Sequence, residues 1–414
     1  MLKLLNNEKL IVGYDLKDDY SQISYCVADS ENVETLSMVA GVEDFNIPTV
    51  LCKREGVNQW FCGREAIRYA ETGQGILIQN LLGLAVDGEP VLIEGNAFDP
   101  VSLLTLFLKR SLGMLAQVSS PDRISALMIT CRKLHGRILD VLCKAVEGLK
   151  LRTDNVFFQS HTESFYHYML RQEPELWKAR TVLLESLGTE IVSYSMECNY
   201  RTNPVVVYIK EKSYAFTSQT ERMDSELLSL SEEICAEGYV SGVYLIGDVF
   251  SGDWMQESLR YLCRGRRVFQ GNNLYSKGAC YGMLERLKQS EAGKSHVFLG
   301  DDKLKANVGM KLMHQGEEIY CALLDAGTTW FEAEQTFDFY LQGGNRIELM
   351  VTALTGGYSK VEEVVLEELP GELSRLRAHL RLRDENHILV EIEDLGLGAF
   401  RPASHRIWKQ EIEL

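Results

Sequence analysis

The chain has 414 residues, 45% of them hydrophobic and 25% charged, with 8 prolines. Such a composition folds throughout, and the length exceeds that of one compact core, so two domains or one domain split into lobes are expected. Lys plus Arg number 43 against 59 Asp plus Glu, a formal charge of −16, which disfavours nucleic acid and anionic membrane surfaces as partners. The ten cysteines, among them Cys26, Cys131, Cys235 and Cys280, are scattered without a C-x-x-C pair, the pattern of reduced thiols in a cytoplasm. The N-terminal apolar segment is too short for a signal peptide and no run approaches the ~18 apolar residues of a membrane span. A soluble, cytoplasmic protein is expected.

In chain order, Lys9 to Asp29 reads as two strands joined by the charged turn LKDDY, and a hairpin-like run follows from Pro48. The first strong helix opens at Asp99 as N-cap with Pro100 at the first helical position. ISALMIT is a continuous apolar strand of the buried type, LHGRILDVLCKAVEGLK an amphipathic helix and NVFFQSH a further strand. From Thr181 three strands, a helix and alternating strands and helices follow as far as LYSKGACYGMLERLK. This order, βββαβαβα, is that of a ribonuclease-H-like lobe, and the first half reads as an elaborated version of it. Two such lobes make a two-lobed actin-like nucleotide-binding domain. After Ser290 the chain turns to alternating strands with Gly-Gly at 343–344 and 356–357, the pattern of a small β-sandwich. The expected fold class is therefore α/β plus all-β. The head covers 1–289, with lobes of about 1–180 and 181–289, followed by a linker at 290–306 and a sandwich at 307–414.

VGYDLKDDYSQISY, NIPTVLCKREGVNQWFCGREA, ALMITCRKLHGRILDVLCKAVEGLKL, GVYLIGDVFSGDWMQESLRYL and NNLYSKGACYGM occur in one collinear order, and ELPGELSRLRAHLRLRDENHILVEIEDLGLG closes the tail. In that order the chain resembles the DnaK-type heat-shock chaperones, of the actin-like ATPase superfamily, and bacterial chaperone-like proteins catalogued as domains of unknown function. The resemblance implies a nucleotide-binding domain joined through the apolar VFLGDD linker to a β-sandwich that grips extended peptides. It also places ATP or ADP, with Mg²⁺, in the cleft between the lobes. Asp15 falls on the family's metal-side aspartate of the first hairpin, and Glu185 on that of the second, so these two are the candidate metal ligands. Lys17, Asp18 and Asp19 replace its small phosphate-cradling residues. Gln79 falls where the family has its catalytic lysine and Ser160 where it has its glutamate. Leu187 and Gly188 shorten its second glycine run, Thr189 is retained, and Asp248 follows Gly247 where another glycine would lie. Gly278 completes the implied nucleotide-side set. There is no room between Thr189 and Val243 for the subdomain that covers the adenine, and no helical lid is expected after the last strand.

Acidic side chains in a phosphate turn repel the ligand, and Gln79 supplies no positive charge, so hydrolysis is expected to be weak or absent. The expected function is a chaperone-like protein- or peptide-binding module with a degenerate nucleotide cleft, binding its partner by strand addition at a sandwich edge. Two alternatives are an active Mg-dependent ATPase rebuilt on Asp15, Asp18, Glu185 and Thr189, and a non-catalytic actin-like scaffold without a cofactor. His161, Glu163 and His167 suggest a metal set, but six residues separate the histidines and a surface or cleft-lining pair is the expected role. Gly278 and Gly282 suit close helix packing better than phosphate contact. Arg260, Arg264, Arg266 and Arg267 suit a solvated helix-to-strand corner. Phe331, Phe337, Phe339 and Tyr340 alternate as strand residues, and no G-x-S-x-G context marks a nucleophile.

Overall fold

The computed structural model describes residues 9–27, 30–39, 41–217, 221–354, 356 and 359–414. The segment before Lys9, the predicted strand end at Asp29 and Gly357 lie outside the described residues. The chain divides into two compact units, Met1–Glu197 with Lys210–Gly293, and Cys198–Ile209 with Lys294–Leu414.

The first unit starts with the hairpin β1 (Leu10–Asp15) and β2 (Tyr20–Val27), joined by the predicted charged turn. The predicted run from Pro48 forms β3 (Leu51–Arg54) and β4 (Trp60–Cys62), followed by α1 (Gly63–Glu71), β5 (Gly75–Ile78) and α2 (Leu81–Asp87). In α3 (Pro100–Gly113) the Asp99 carboxylate accepts from Ser102 N at 2.8 Å, the cap that its sequence announces. Then come β6 (Ile124–Cys131), α4 (Gly136–Leu149), β7 (Val156–Ser160) and α5 (His161–Leu170). β6 lies between parallel neighbours β1 and β7, with Ala126 and Met128 packed in one cluster with Ala279, Cys280 and Met283, and is buried almost throughout as a central parallel strand is when its faces are covered.

The second half repeats the plan. β8 (Arg180–Leu187) and β9 (Glu190–Asn199) form a hairpin, and β10 (Val205–Ala215) and α6 (Met223–Ala236) follow. β11 (Val240–Ile246) lies parallel to β8, α7 (Glu257–Leu262) comes next, and β12 (Arg267–Gln270) lies parallel to β11. α8 (Leu274–Leu287) closes the unit. The strand orders β7-β6-β1-β2 and β12-β11-β8-β9 are equivalent, so the two halves share one topology. α7 starts at Glu257, where Asp224, from α6, caps it by accepting from Glu257 N at 2.8 Å and Ser258 N at 3.0 Å.

The linker expected at 290–306 is corrected by the structure. It holds α9 (Glu291–Ser295) and β13 (His296–Phe298), and β13 pairs in parallel with the start of β10 from Val205↔His296 to Val207↔Phe298. Three residues are too few to show a period, so only their pairing reveals the strand. The rest of the second unit is two antiparallel sheets, as the alternating pattern predicts. One has the order β15 (Glu317–Leu324), β14 (Ala306–His314), β17 (Arg346–Ala353), β18 (Lys360–Val365). The other has β16 (Glu334–Gln342), β19 (Leu373–Asp384), β20 (His387–Asp394), β21 (Ile407–Glu413). One core containing Val308, Leu349 and Val351 from the first sheet and Leu376, Leu380, Val390 and Trp408 from the second joins them. In β19 Leu376, Ala378, Leu380 and Leu382 point inward while Arg375, Arg377 and Arg381 point out, a period of two.

Candidate ligand cleft

In the first unit the parallel strands end at one place. Asp15 is level with Thr130, Cys131 with Ser160, and Glu185 with Ile246, so the carboxyl ends of β1, β6, β7, β8 and β11 meet around a cleft of about 770 Å³. Open α/β sheets bind ligands at such ends. Its walls are largely apolar, with Leu16, Leu82, Ile138, Leu187, Ile246 and Val249, and its polar lining includes Lys17, Asp18, Asp19, His161, Glu185 and Asp248.

The floor is a closed charge network. Asp15 is fully buried, and its Oδ1 lies 2.7 Å from His161 Nε2. Lys17, two residues along the same hairpin, donates to Glu185 Oε1 at 3.2 Å and stands 3.9 Å from Asp15 Oδ2. Tyr275 on α8 donates to Glu185 Oε2 at 2.9 Å and stacks on the His161 ring at 3.9 Å. The Lys17 ammonium also lies 5.0 Å from the centre of the Tyr20 ring and 5.1 Å from that of Tyr275. Burial works against its charge, yet the Asp15 and Glu185 carboxylates outweigh burial and hold Lys17 above the ordinary lysine range. Burial likewise pushes the Tyr275 hydroxyl up, with Glu185 beside it reinforcing the effect.

Asp18 has a different task from the repulsion expected of it. Its Oδ1 accepts from Leu82 N at 2.9 Å and Gly83 N at 3.2 Å, capping α2 from another segment of the chain. Burial pushes its carboxyl up, and those two amides oppose the shift. Asp19 turns back and accepts from the Tyr20 backbone N at 2.8 Å. At the opposite wall α4 begins without a side-chain cap, and Arg132, Lys133 and His135 line the cleft before it. Arg132 and Lys133 share Glu211, at 3.9 and 3.5 Å, in partly exposed pairs of little energetic weight.

Of the residues singled out from sequence, Lys17, Asp18, Glu185, Gly188, Gly247 and Asp248 line the cleft, and Asp15 lies in its floor. Gly188 and Gly247 have positive φ, 62° and 115°, and a side chain on Gly247 would meet Ser186. Thr189 is exposed at the hairpin tip, and Gln79 is exposed outside the lining. Gly278, which the resemblance sets on the nucleotide side, lies outside the cleft lining, and it is buried against the Ser164 backbone of α5 in the close helix packing that its sequence context suits. Ser160 caps α5 by accepting from Glu163 N. His161 and His167 part company, since His167 faces Glu163 at 3.6 Å, and among the described residues no cluster of three or more His, Cys, Asp or Glu could hold a metal. Arg266 donates to the carbonyls of Tyr261 and Leu262 at the end of α7, a structural corner as expected. Sequence reasoning missed Tyr275 and Tyr20, which carry no local signal that separates them from core aromatics. The 161–167 spacing pointed to His161 without its partner.

A mixed α/β unit with a cleft at its strand ends, carrying an all-β unit, is thus the class of protein that fold and site define. Residues 32–301 match the C-terminal model of a family of unknown function, DUF5716, and residues 303–414 match a domain of unknown function, DUF8552. The first match covers more than half of the chain, which belongs to that DUF5716 family. No curated protein matches it.

Proposed function

We propose that this chain is a chaperone-like protein- or peptide-binding module whose head keeps the actin-like form of a nucleotide-binding domain without hydrolysing nucleotide. The observation that carries the reading is Lys17 between Asp15 and Glu185, because its ammonium takes the space between the two carboxylates that would have to hold Mg²⁺. Magnesium is bound through one or two carboxylates together with phosphate oxygens and water, and an ammonium held between those carboxylates competes for the same oxygens. The residues present therefore do not fit a Mg²⁺-nucleotide site of that type. The equivalent strand orders of the two halves support the two-lobed, actin-like form.

Binding of an extended peptide belongs to the second unit in this reading. β16 is the first strand of its sheet, among the described residues pairs with β19 alone, and has a groove of about 790 Å³ beside it. Met310, Leu312, Met313, Ile319, Phe339 and Tyr340 line this groove, with Met313 69% and Tyr340 63% exposed. An extended segment added to such an edge gains main-chain hydrogen bonds, and the groove takes alternate side chains.

Two measurements on the full chain test the proposal. Nucleotide turnover with Mg-ATP is expected to equal the buffer rate; metal-dependent turnover that disappears on Asp15→Ala would establish an ATPase instead. Fluorescence anisotropy with labelled extended hydrophobic peptides is expected to show binding that Tyr340→Lys weakens while thermal stability is unchanged. Binding indifferent to that substitution would remove the β16 edge from the reading.

A further inference from the structure

We infer that Lys17 is a resident cation closing a latent divalent-metal site, so that the cleft takes its ligand without a metal and loss of this one side chain turns the cleft floor into a metal site. Two carboxylates from opposite hairpins, Asp15 at 0% and Glu185 at 2% exposure, are brought together here. Buried like charges this close demand a cation. Of their four oxygens, Asp15 Oδ1 is committed to His161 and Glu185 Oε2 to Tyr275. Glu185 Oε1 and Asp15 Oδ2 face the Lys17 ammonium, and Asp15 Oδ2 has no hydrogen-bond partner among the described residues.

The surroundings suit a monovalent charge. The Tyr20 hydroxyl accepts from the Lys17 ammonium at 3.5 Å and the Tyr275 ring lies 5.1 Å from it, contacts that stabilise an ammonium without adding negative charge, whereas a hard divalent ion needs several further oxygen ligands. Lys17 sits on the chain two residues after Asp15 and is 13% exposed, so its head reaches the carboxylates while still lining the cleft. Remove it, and two inward oxygens with up to two negative charges open onto a cavity large enough to admit a hydrated ion.

The inference deepens the proposed function but stands on the floor geometry, and its test contains no nucleotide, so a failure here leaves that reading to be judged by turnover alone. Mn²⁺ binding would be measured by electron paramagnetic resonance and by thermal unfolding on the wild type, Lys17→Ala, Lys17→Arg and the double variant Lys17→Ala/Glu185→Gln. We expect no Mn²⁺ bound in this cleft for wild type or Lys17→Arg, a single bound ion in Lys17→Ala with a raised unfolding midpoint, and its loss in the double variant. A Lys17→Ala chain that folds only with Mn²⁺ present supports the inference equally. Wild-type binding of Mn²⁺ that Glu185→Gln abolishes overturns the inference, as does a folded Lys17→Ala chain that binds none. Should Lys17→Ala fail to fold even with Mn²⁺, Lys17→Gln, which keeps a donor for Glu185 without the charge, takes its place: a bound ion supports the inference, and a folded chain that binds none overturns it.

Discussion

Gly278→Ala tests how tightly the fold sets the cleft floor. A Cβ at Gly278 would lie 2.0 Å from the Ser164 carbonyl oxygen and 2.6 Å from its carbon, whereas ordinary van der Waals contact begins at 3.4 Å. Both partners are backbone, so no rotamer relieves the clash and α5 and α8 must separate by roughly 1.4 Å, a shift a close-packed interior resists. On the other side α8 has no slack, because a Cβ at Gly13 of β1 would lie 2.3 Å from Cys280 N and from the Ser276 carbonyl oxygen. Overpacking costs about 1–3 kcal/mol and occasionally more. Alanine's better helix propensity returns at most about 1 kcal/mol. Because the relief must come from backbone on two sides, we expect a net loss near the upper end, about 2–3 kcal/mol. Tyr275 lies one turn before Gly278, so the same shift loosens its bond to Glu185. Urea unfolding followed by far-ultraviolet circular dichroism measures the loss. Gly113→Ala, where nothing lies within 4 Å, is the control and should be neutral or stabilising by up to about 1 kcal/mol. Equal stabilities for the two variants would refute the close-approach account of α8.

Asp18→Ala should cost about 1 kcal/mol in the same assay, since it uncaps α2 at Leu82 and Gly83 although it removes one negative charge from an acidic chain. A gain in stability would show that repulsion outweighs the cap. In the β unit the fully buried Asp394 accepts from Ser404 Oγ at 2.7 Å, Ser404 N at 3.1 Å and Gly396 N at 3.1 Å, and pairs with Arg401 at 3.1 Å. Burial pushes this carboxyl up, but the Ser404 hydroxyl, the two amides and Arg401 outweigh burial and hold it below the usual aspartate range. A carboxyl depressed in the folded state contributes stability above its unfolded value, ~3.9, that is lost as pH falls through the lower folded value. Fluorescence of the buried Trp408 should therefore report acid unfolding setting in below about pH 4, and Asp394→Asn should flatten that dependence. An unchanged acid limb would exclude Asp394 as its source.

Much of the architecture was legible because its signals are local. The Asp99–Pro100 start of α3, the unbroken apolar run of β6 and the alternation of β19 each follow from a period or cap that a few residues carry. The start of α7 carries no local signal, because its cap comes from Asp224, 33 residues earlier. The three residues of β13 carry no period that marks a strand, and the resemblance sets Gly278 at the nucleotide because a glycine's sequence neighbours do not reveal which backbone it touches.

The same division holds for the site. Sequence by itself determined the two charged hairpins, the acids at 15, 18, 19 and 185 and the lysine among them, because hairpin turns are short-range structures. Only the tertiary structure decided what those charges do. The pairing of Lys17 with Glu185, 168 residues away, the turning of Asp18 onto α2 and the arrival of Tyr275 beneath Glu185 are long-range contacts. Ion pairs and caps depend on distances of a few ångströms, which the packing of α8 against β1 and α5 sets and no local pattern encodes.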